Sequence, residues 1–168
     1  LRERERKFRN YIDFAPHGVF VANEFGAYVD ANSAAAKITG YSREELLSMN
    51  LQQLVPEDSL KIAADHFSNV VNEGFAAAEF AFIRKDGSRG YWSVDAVKLS
   101  NHSFLGFVVD TSDRKRAEEA LWQSEHLLKT IMEFLPIGVW VLNEKGDIIM
   151  GNVAAQKIWA GIKYVGIN

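Results

Sequence analysis

The stretch Ala31-Asn-Ser-Ala-Ala-Ala-Lys-Ile-Thr-Gly40-Tyr-Ser-Arg-Glu-Glu-Leu46 holds two helix starts and one helix stop. Asn32 can accept from free backbone N–H groups and so cap the alanine-rich run behind it. Gly40 ends that run, because glycine enters the left-handed conformation of a helix C-terminus without steric cost. Ser42, with Glu45 three residues on, is a capping box that opens a second short helix.

Outward toward the N-terminus, Val19-Phe-Val21 and Ala27-Tyr-Val29 read as short strands around an Asn23-Glu-Phe-Gly26 turn. Ahead of them, residues 1–15 read as an amphipathic helix with Leu1, Phe8, Ile12 and Ala15 on one stripe, stopped by Pro16. Toward the C-terminus, Pro56-Glu-Asp-Ser59 starts a longer helix that runs to about Glu73. Its apolar side carries Leu60, Ala63, Phe67, Val70 and Val71, and Gly74 closes it.

Three strands are expected next. Phe75 to Arg84 leads into Asp86-Gly87, a strong hairpin signal. Tyr91 to Leu99 alternates, with Trp92, Val94 and Ala96 on one face and Tyr91, Ser93 and Asp95 on the other. Phe104 to Val109 is apolar at both parities, which predicts that both of its faces are covered. From Ser112 a helix is expected to reach about Phe134. Its Ala117, Leu121, Ser124, Leu128, Ile131 and Leu135 follow a 4-3-4-3-4 spacing, a short coiled-coil seam with one polar interruption.

The chain also repeats itself. Sliding it by 120 residues lays 1–40 over 121–160, and fifteen of those forty positions are identical. Chance at this composition gives roughly 5–10%, so the match is a true internal repeat. Phe14, Pro16, Gly18, Val19, Val21, Asn23, Glu24 and Gly26 recur as Phe134, Pro136, Gly138, Val139, Val141, Asn143, Glu144 and Gly146. Asn32, Ala34, Ala35, Lys37 and Ile38 recur as Asn152, Ala154, Ala155, Lys157 and Ile158. The expected organisation is an N-terminal helix (1–15), a complete domain (16–112), a linker helix (113–135) and the opening of a second copy (136–168).

Composition narrows the function. The 168 residues are 48% hydrophobic and 12% aromatic, a globular make-up, and 22 acidic against 19 basic side chains give no electrostatic footprint for nucleic acid or an anionic membrane. Cysteine is absent, which removes disulfides, zinc–thiolate sites and thiol catalysis. The longest apolar run, Phe134 to Leu142, has nine residues, against about 18 for a membrane span. Histidines stand at 17, 66, 102 and 126 without metal-ligand spacing, and no phosphate-binding, metalloprotease or nucleophile-elbow motif occurs. No catalytic residue and no metal site are nominated, and a location in the cytoplasm is expected.

Four segments in this order resemble the PAS domain family. They are Ala31 to Leu46, the loop Leu54-Val-Pro-Glu-Asp58, the hairpin Arg84-Lys-Asp-Gly-Ser88 with Tyr91-Trp92, and Gly106-Phe-Val-Val-Asp110-Thr-Ser112-Asp-Arg-Lys115. The second copy carries only the first of these and departs from it at Trp159-Ala-Gly-Ile-Lys. The resemblance implies an α+β fold, a five-stranded antiparallel sheet with short helices on one face around a small pocket, flanked by amphipathic helices. It further implies a sensory module of a multidomain signalling protein, such as a two-component sensor histidine kinase, with the output domain in the same chain.

Strand alternation places Phe80, Phe82, Trp92, Val94, Ala96, Phe104 and Val108 around that pocket, with Ile62, His66 and Phe67 closing it from the long helix. These residues read either as an apolar ligand site or as a filled core. The resemblance brings haem into view through His66, although a family ligand falls nearer Ala63. Cysteine-adduct flavin photochemistry is excluded, and a non-covalent flavin or a haem is the alternative to no cofactor at all. Asp110 and Ser112 can satisfy N–H groups at the start of the exit helix, and the resemblance adds a role in relaying signal to it. Leu1, Phe8, Ile12, Leu121, Leu128 and Ile131 are the candidate interface of a homodimer. The competing readings are a ligand-free spacer or dimerisation domain and a flavin- or haem-based redox or gas sensor.

Overall fold

A computed structural model describes residues 10–158. The chain divides into two compact units, Leu1–Lys115 and Arg116–Asn168.

In the first unit, β1 (Gly18–Ala22) and β2 (Tyr28–Ala31) form a hairpin, followed by α1 (Ser33–Thr39) and α2 (Arg43–Leu46). Two 3-10 turns, Leu51–Leu54 and Glu57–Ser59, lead into α3 (Leu60–Glu73); then come β3 (Phe75–Ile83), β4 (Arg89–Ser100) and β5 (Ser103–Asp110). The five strands make one antiparallel sheet in the order β2-β1-β5-β4-β3. The helix α4 (Ser112–Phe134) leaves from the last strand.

The local chemistry explains these bounds. Gly40 and Gly74 take up φ of 77° and 86° and stop α1 and α3. The Ser42 capping box forms both ways, with Glu45 N donating to Ser42 Oγ and Ser42 N to Glu45 Oε2. Asn32 does more than cap α1. Its Oδ1 accepts from Ala35 N and Val19 N, both at 2.9 Å, while its Nδ2 donates to the carbonyls of Ile12 (2.8 Å) and His17 (3.0 Å). One buried side chain thus ties α1, β1 and the chain ahead of β1 together.

The inner face of the sheet carries Phe20 and Ala22 (β1), Phe80 and Phe82 (β3), Trp92, Val94 and Ala96 (β4), and Phe104 and Val108 (β5), all buried. The outer face departs from expectation. Phe107 and Val109 are 42% and 40% exposed, so the described residues do not cover both faces of β5. Residues 10–13 are helical, but Leu1 and Phe8 lie outside the described residues.

The second unit holds most of α4, then β6 (Trp140–Leu142), β7 (Ile148–Gly151) and α5 (Val153–Ile158). Its bonding repeats the first unit at the same offset of 120. Asn152 Oδ1 accepts from Ala155 N (2.8 Å) and Val139 N (3.0 Å), and Nδ2 donates to Ile137 O at 2.8 Å. Trp140 pairs with Gly151 and Val141 with Met150, with an irregularity between Val141 and Leu142, just as Phe20 pairs with Ala31 and Val21 with Asp30 with one between Val21 and Ala22. Leu121 and Leu128 of α4 are each 61% exposed, and Ile131 is 47% exposed. Among the described residues no helix is long and apolar enough to cross a membrane, and no group of three or more His, Asp or Glu side chains gathers as a metal site.

Candidate functional site

A cavity of about 80 Å³ lies between the sheet and the helices of the first unit. From the strands it is lined by Phe20, Ala22, Tyr28, Phe80, Trp92, Val94, Ala96, Phe104, Gly106 and Val108, and from the helical side by Leu51, Val55, Ala63, His66, Phe67 and Val70. The helix supplies Ala63, His66, Phe67 and Val70, spaced i, i+3, i+4, i+7, which is one face of α3.

Two of the expected lining residues fall elsewhere. Ile62 is 48% exposed, because it precedes Ala63 by one position and one residue turns a helix by about 100°. Phe82 shares the inner face with Phe80, yet it is fully buried and does not border the cavity. It lies behind Trp92, their rings stacked with centroids 4.3 Å apart and 13° between planes. Phe80, Trp92, Val94, Ala96, Phe104, Val108, His66 and Phe67 do line the cavity. Phe20, Ala22, Tyr28, Leu51 and Val55 were not anticipated. They come from segments distant in sequence, and strand parity on β3–β5 carries no information about them.

The polar groups of the wall are few. His66 Nε2 is 3.1 Å from the carbonyl oxygen of Ala76, so the protonated nitrogen donates to β3. Burial lowers its imidazole pKa below the usual 6.5; the carbonyls of Ala76 and Val94 and then the charge of Asp95 pull the other way without cancelling it. The folded chain therefore binds this proton less readily than the unfolded chain. Stability is expected to fall as pH drops from about 6.5 toward the folded value, by at most about 1.4 kcal/mol per pH unit. Urea midpoints across pH 7 to 5 check this, and His66→Asn should flatten the slope.

A second cluster stands where β5 becomes α4. Arg84 Nη2 donates to Asp110 Oδ2 at 2.7 Å and to Ser112 Oγ at 3.1 Å, and its Nε donates to the carbonyl of Ile38 at 3.1 Å. The guanidinium sits 4.8 Å over the Phe82 ring. Ser112 Oγ also accepts from Tyr91 N (2.9 Å), and Ser112 N donates to Asp110 Oδ1 (2.9 Å). Asp110 thus catches an N–H of the helix start as expected, whereas the Ser112 hydroxyl ties the helix to β4 instead of capping it. Burial raises the Asp110 pKa, but the Ser112 hydroxyl and amide together with Arg84 outweigh that and hold it below the usual carboxylate value. On the outer face, Arg114 and Lys115 both pair with Glu79 of β3.

Gly90 is required by this packing. A Cβ there meets Phe82 Cε1 at 2.5 Å and Arg84 Nη2 at 2.8 Å. The cluster and the cavity are consequently joined by unbroken contact, from Trp92 in the wall to Phe82, to Arg84, to Asp110 and Ser112.

A family model described as the PAS fold matches residues 6–111, more than half of the chain. Among curated proteins, the chain is 27% identical over 158 residues to DgcE of Escherichia coli K12, whose name describes a diguanylate cyclase. It is 23% identical over 175 residues to the sensor histidine kinase TmoS of Ectopseudomonas mendocina. These alignments cover 88% and 96% of this chain but only 14% and 18% of those proteins. Among solved structures, the PAS domain of a protein from Colwellia psychrerythraea superposes with a TM-score of 0.61 at 21% identity, covering 66% of this chain and 98% of that one.

Proposed function

Because the chain belongs to the PAS family, we propose that its first unit senses a small molecule in the apolar cavity and relays occupancy through Arg84 to α4. The observation that carries this is the contact chain from Trp92 through the stacked Phe82 to the guanidinium that grips Asp110 and Ser112. A ligand that favours one position of Trp92 thereby biases the seat of the exit helix, by as much as its affinities for the two arrangements differ.

The reading extends to the whole protein. Its relatives are signalling proteins much longer than this chain, so the output domain, a histidine kinase first and a cyclic-dinucleotide enzyme second, belongs to another part of the same polypeptide. Any catalysis resides there. Residues 136–168 are the opening of a second PAS copy, supported by the Asn152 network. The exposed Leu121 and Leu128 support a parallel homodimer along the α4 seam.

Haem and flavin do not fit the cavity. About 80 Å³ is far below what either ring system needs, and His66 spends its Nε2 on the Ala76 carbonyl. The test of the relay fills the cavity from within. Ala96→Leu should change amide hydrogen exchange at residues 112–116 by about threefold or more, since filling the cavity presses on Trp92. The same substitution in an Arg84→Met background should leave those rates alone. Unchanged exchange in the single variant favours the ligand-free spacer.

A further inference from the structure

We infer that the cavity's ligand is a neutral molecule of three or four non-hydrogen atoms carrying one oxygen acceptor, such as a short alcohol or ketone. The inference rests on the sensory reading of the cavity and names its ligand class. Three observations lead to it.

The first is volume. An apolar protein cavity of about 150 Å³ accepts benzene, with six heavy atoms. The cavity here has about 80 Å³, roughly half of that. Three or four heavy atoms fill it without moving the walls, and a close-packed interior resists larger guests.

The second is charge. Among the described residues no Asp, Glu, Lys or Arg lines the wall, and the titratable groups there are His66 and Tyr28. Burial favours the neutral form of both. An ion entering this space loses its hydration without gaining a counter-ion, which costs several kcal/mol.

The third is a donor without a partner. The Trp92 indole N–H is buried and has no hydrogen-bond partner. Tyr28 is buried as well and carries a hydroxyl. Buried donors are nearly always satisfied, and each one left alone costs about 1–3 kcal/mol. Both residues border the cavity. A guest with an oxygen acceptor can satisfy such a donor, whereas a hydrocarbon cannot.

The experiment uses three molecules of one shape. The uniformly 15N-labelled 168-residue protein is titrated with acetone, with its apolar isostere isobutene and with its anionic isostere acetate, following the indole N–H signals. Trp92→Phe assigns the relevant one. The expected result is saturable acetone binding no tighter than tens of micromolar, the bound that a ceiling of about 1.5 kcal/mol for each of four heavy atoms sets. The Trp92 indole proton should move downfield, or acetone should bind about three- to tenfold more weakly to Tyr28→Phe, the loss of one hydrogen bond. Acetate should not bind. Equal affinity for acetone and isobutene, together with no effect of Tyr28→Phe, overturns the acceptor. Saturable binding of acetate overturns the neutrality.

If acetone does not bind, native mass spectrometry of the protein as purified separates the two readings. A non-covalent adduct of several hundred daltons overturns the size class and keeps the sensor. A bare mass overturns both.

Discussion

Asn32→Ala should lower the stability of the first unit by about 3–5 kcal/mol. The substitution deletes a helix cap, worth about 1 kcal/mol. It also strands the amides of Val19 and Ala35 and the carbonyls of Ile12 and His17, which the one side chain serves together. An orphaned buried backbone group costs about 1–3 kcal/mol, and the lower total allows some of the four to find water. Urea unfolding monitored by far-UV circular dichroism measures the loss. Asn152→Ala is the internal control, since it removes the equivalent network from the second unit and should leave the first unit's midpoint in place. Asn32→Asp should fall between wild type and Asn32→Ala, because it keeps the acceptor that serves two amides and loses both Nδ2 bonds. A loss below about 1 kcal/mol for Asn32→Ala would mean a simple cap.

Arg84→Ala should cost about 2–3 kcal/mol and cut the cavity off from the exit helix. The guanidinium makes a charge-assisted bond to Asp110 and further bonds to Ser112 and the Ile38 carbonyl, and hydrogen bonds to charged groups contribute about 1.5–3 kcal/mol. Its ion pair is partly solvated, with side-chain exposures of 22% and 31%, so the higher cost of breaking a fully buried pair does not apply. Arg84→Lys should not rescue the coupling. An ammonium is a point charge that cannot reach three separated acceptors or lie flat on the Phe82 ring. In a full-length protein carrying its output domain, Arg84→Ala should make output independent of cavity ligand while the domain stays folded. Preserved ligand response in a folded Arg84→Ala protein would place the relay elsewhere.

The fold was legible in the sequence wherever the determinant is local. The Asn32 cap on Ala35, Gly40, the Ser42–Glu45 box and Asp86-Gly87 each act within four residues, and each marks an element boundary in the structure. The site was legible only in part, because a cavity wall is assembled from distant segments. Alternation along β4 selects the face of Trp92, Val94 and Ala96, but it does not separate a residue that borders the cavity from Phe82 one layer behind. Arg84 escaped notice for the same reason. Its partners Asp110, Ser112 and Ile38 lie 26, 28 and 46 residues away, and nothing in its own hairpin announces them. Tyr28 sits in a four-residue strand whose hydroxyl matters only against walls supplied by α3 and β4.

The 120-residue recurrence has a further effect during folding. The nascent chain carries two hairpins of the same bonding pattern and, among the described residues, only one complementary strand, β5. In the native sheet Phe20 lies opposite Gly106 and Ala22 opposite Phe104. The rival hairpin offers Trp140 and Leu142 at those positions, an indole in place of a phenyl ring and an isobutyl group in place of a methyl, and a packed core rejects such excess volume at about 1–3 kcal/mol per site. Backbone kinship alone leaves the two hairpins interchangeable. The bulk of two side chains keeps the second hairpin from capturing β5.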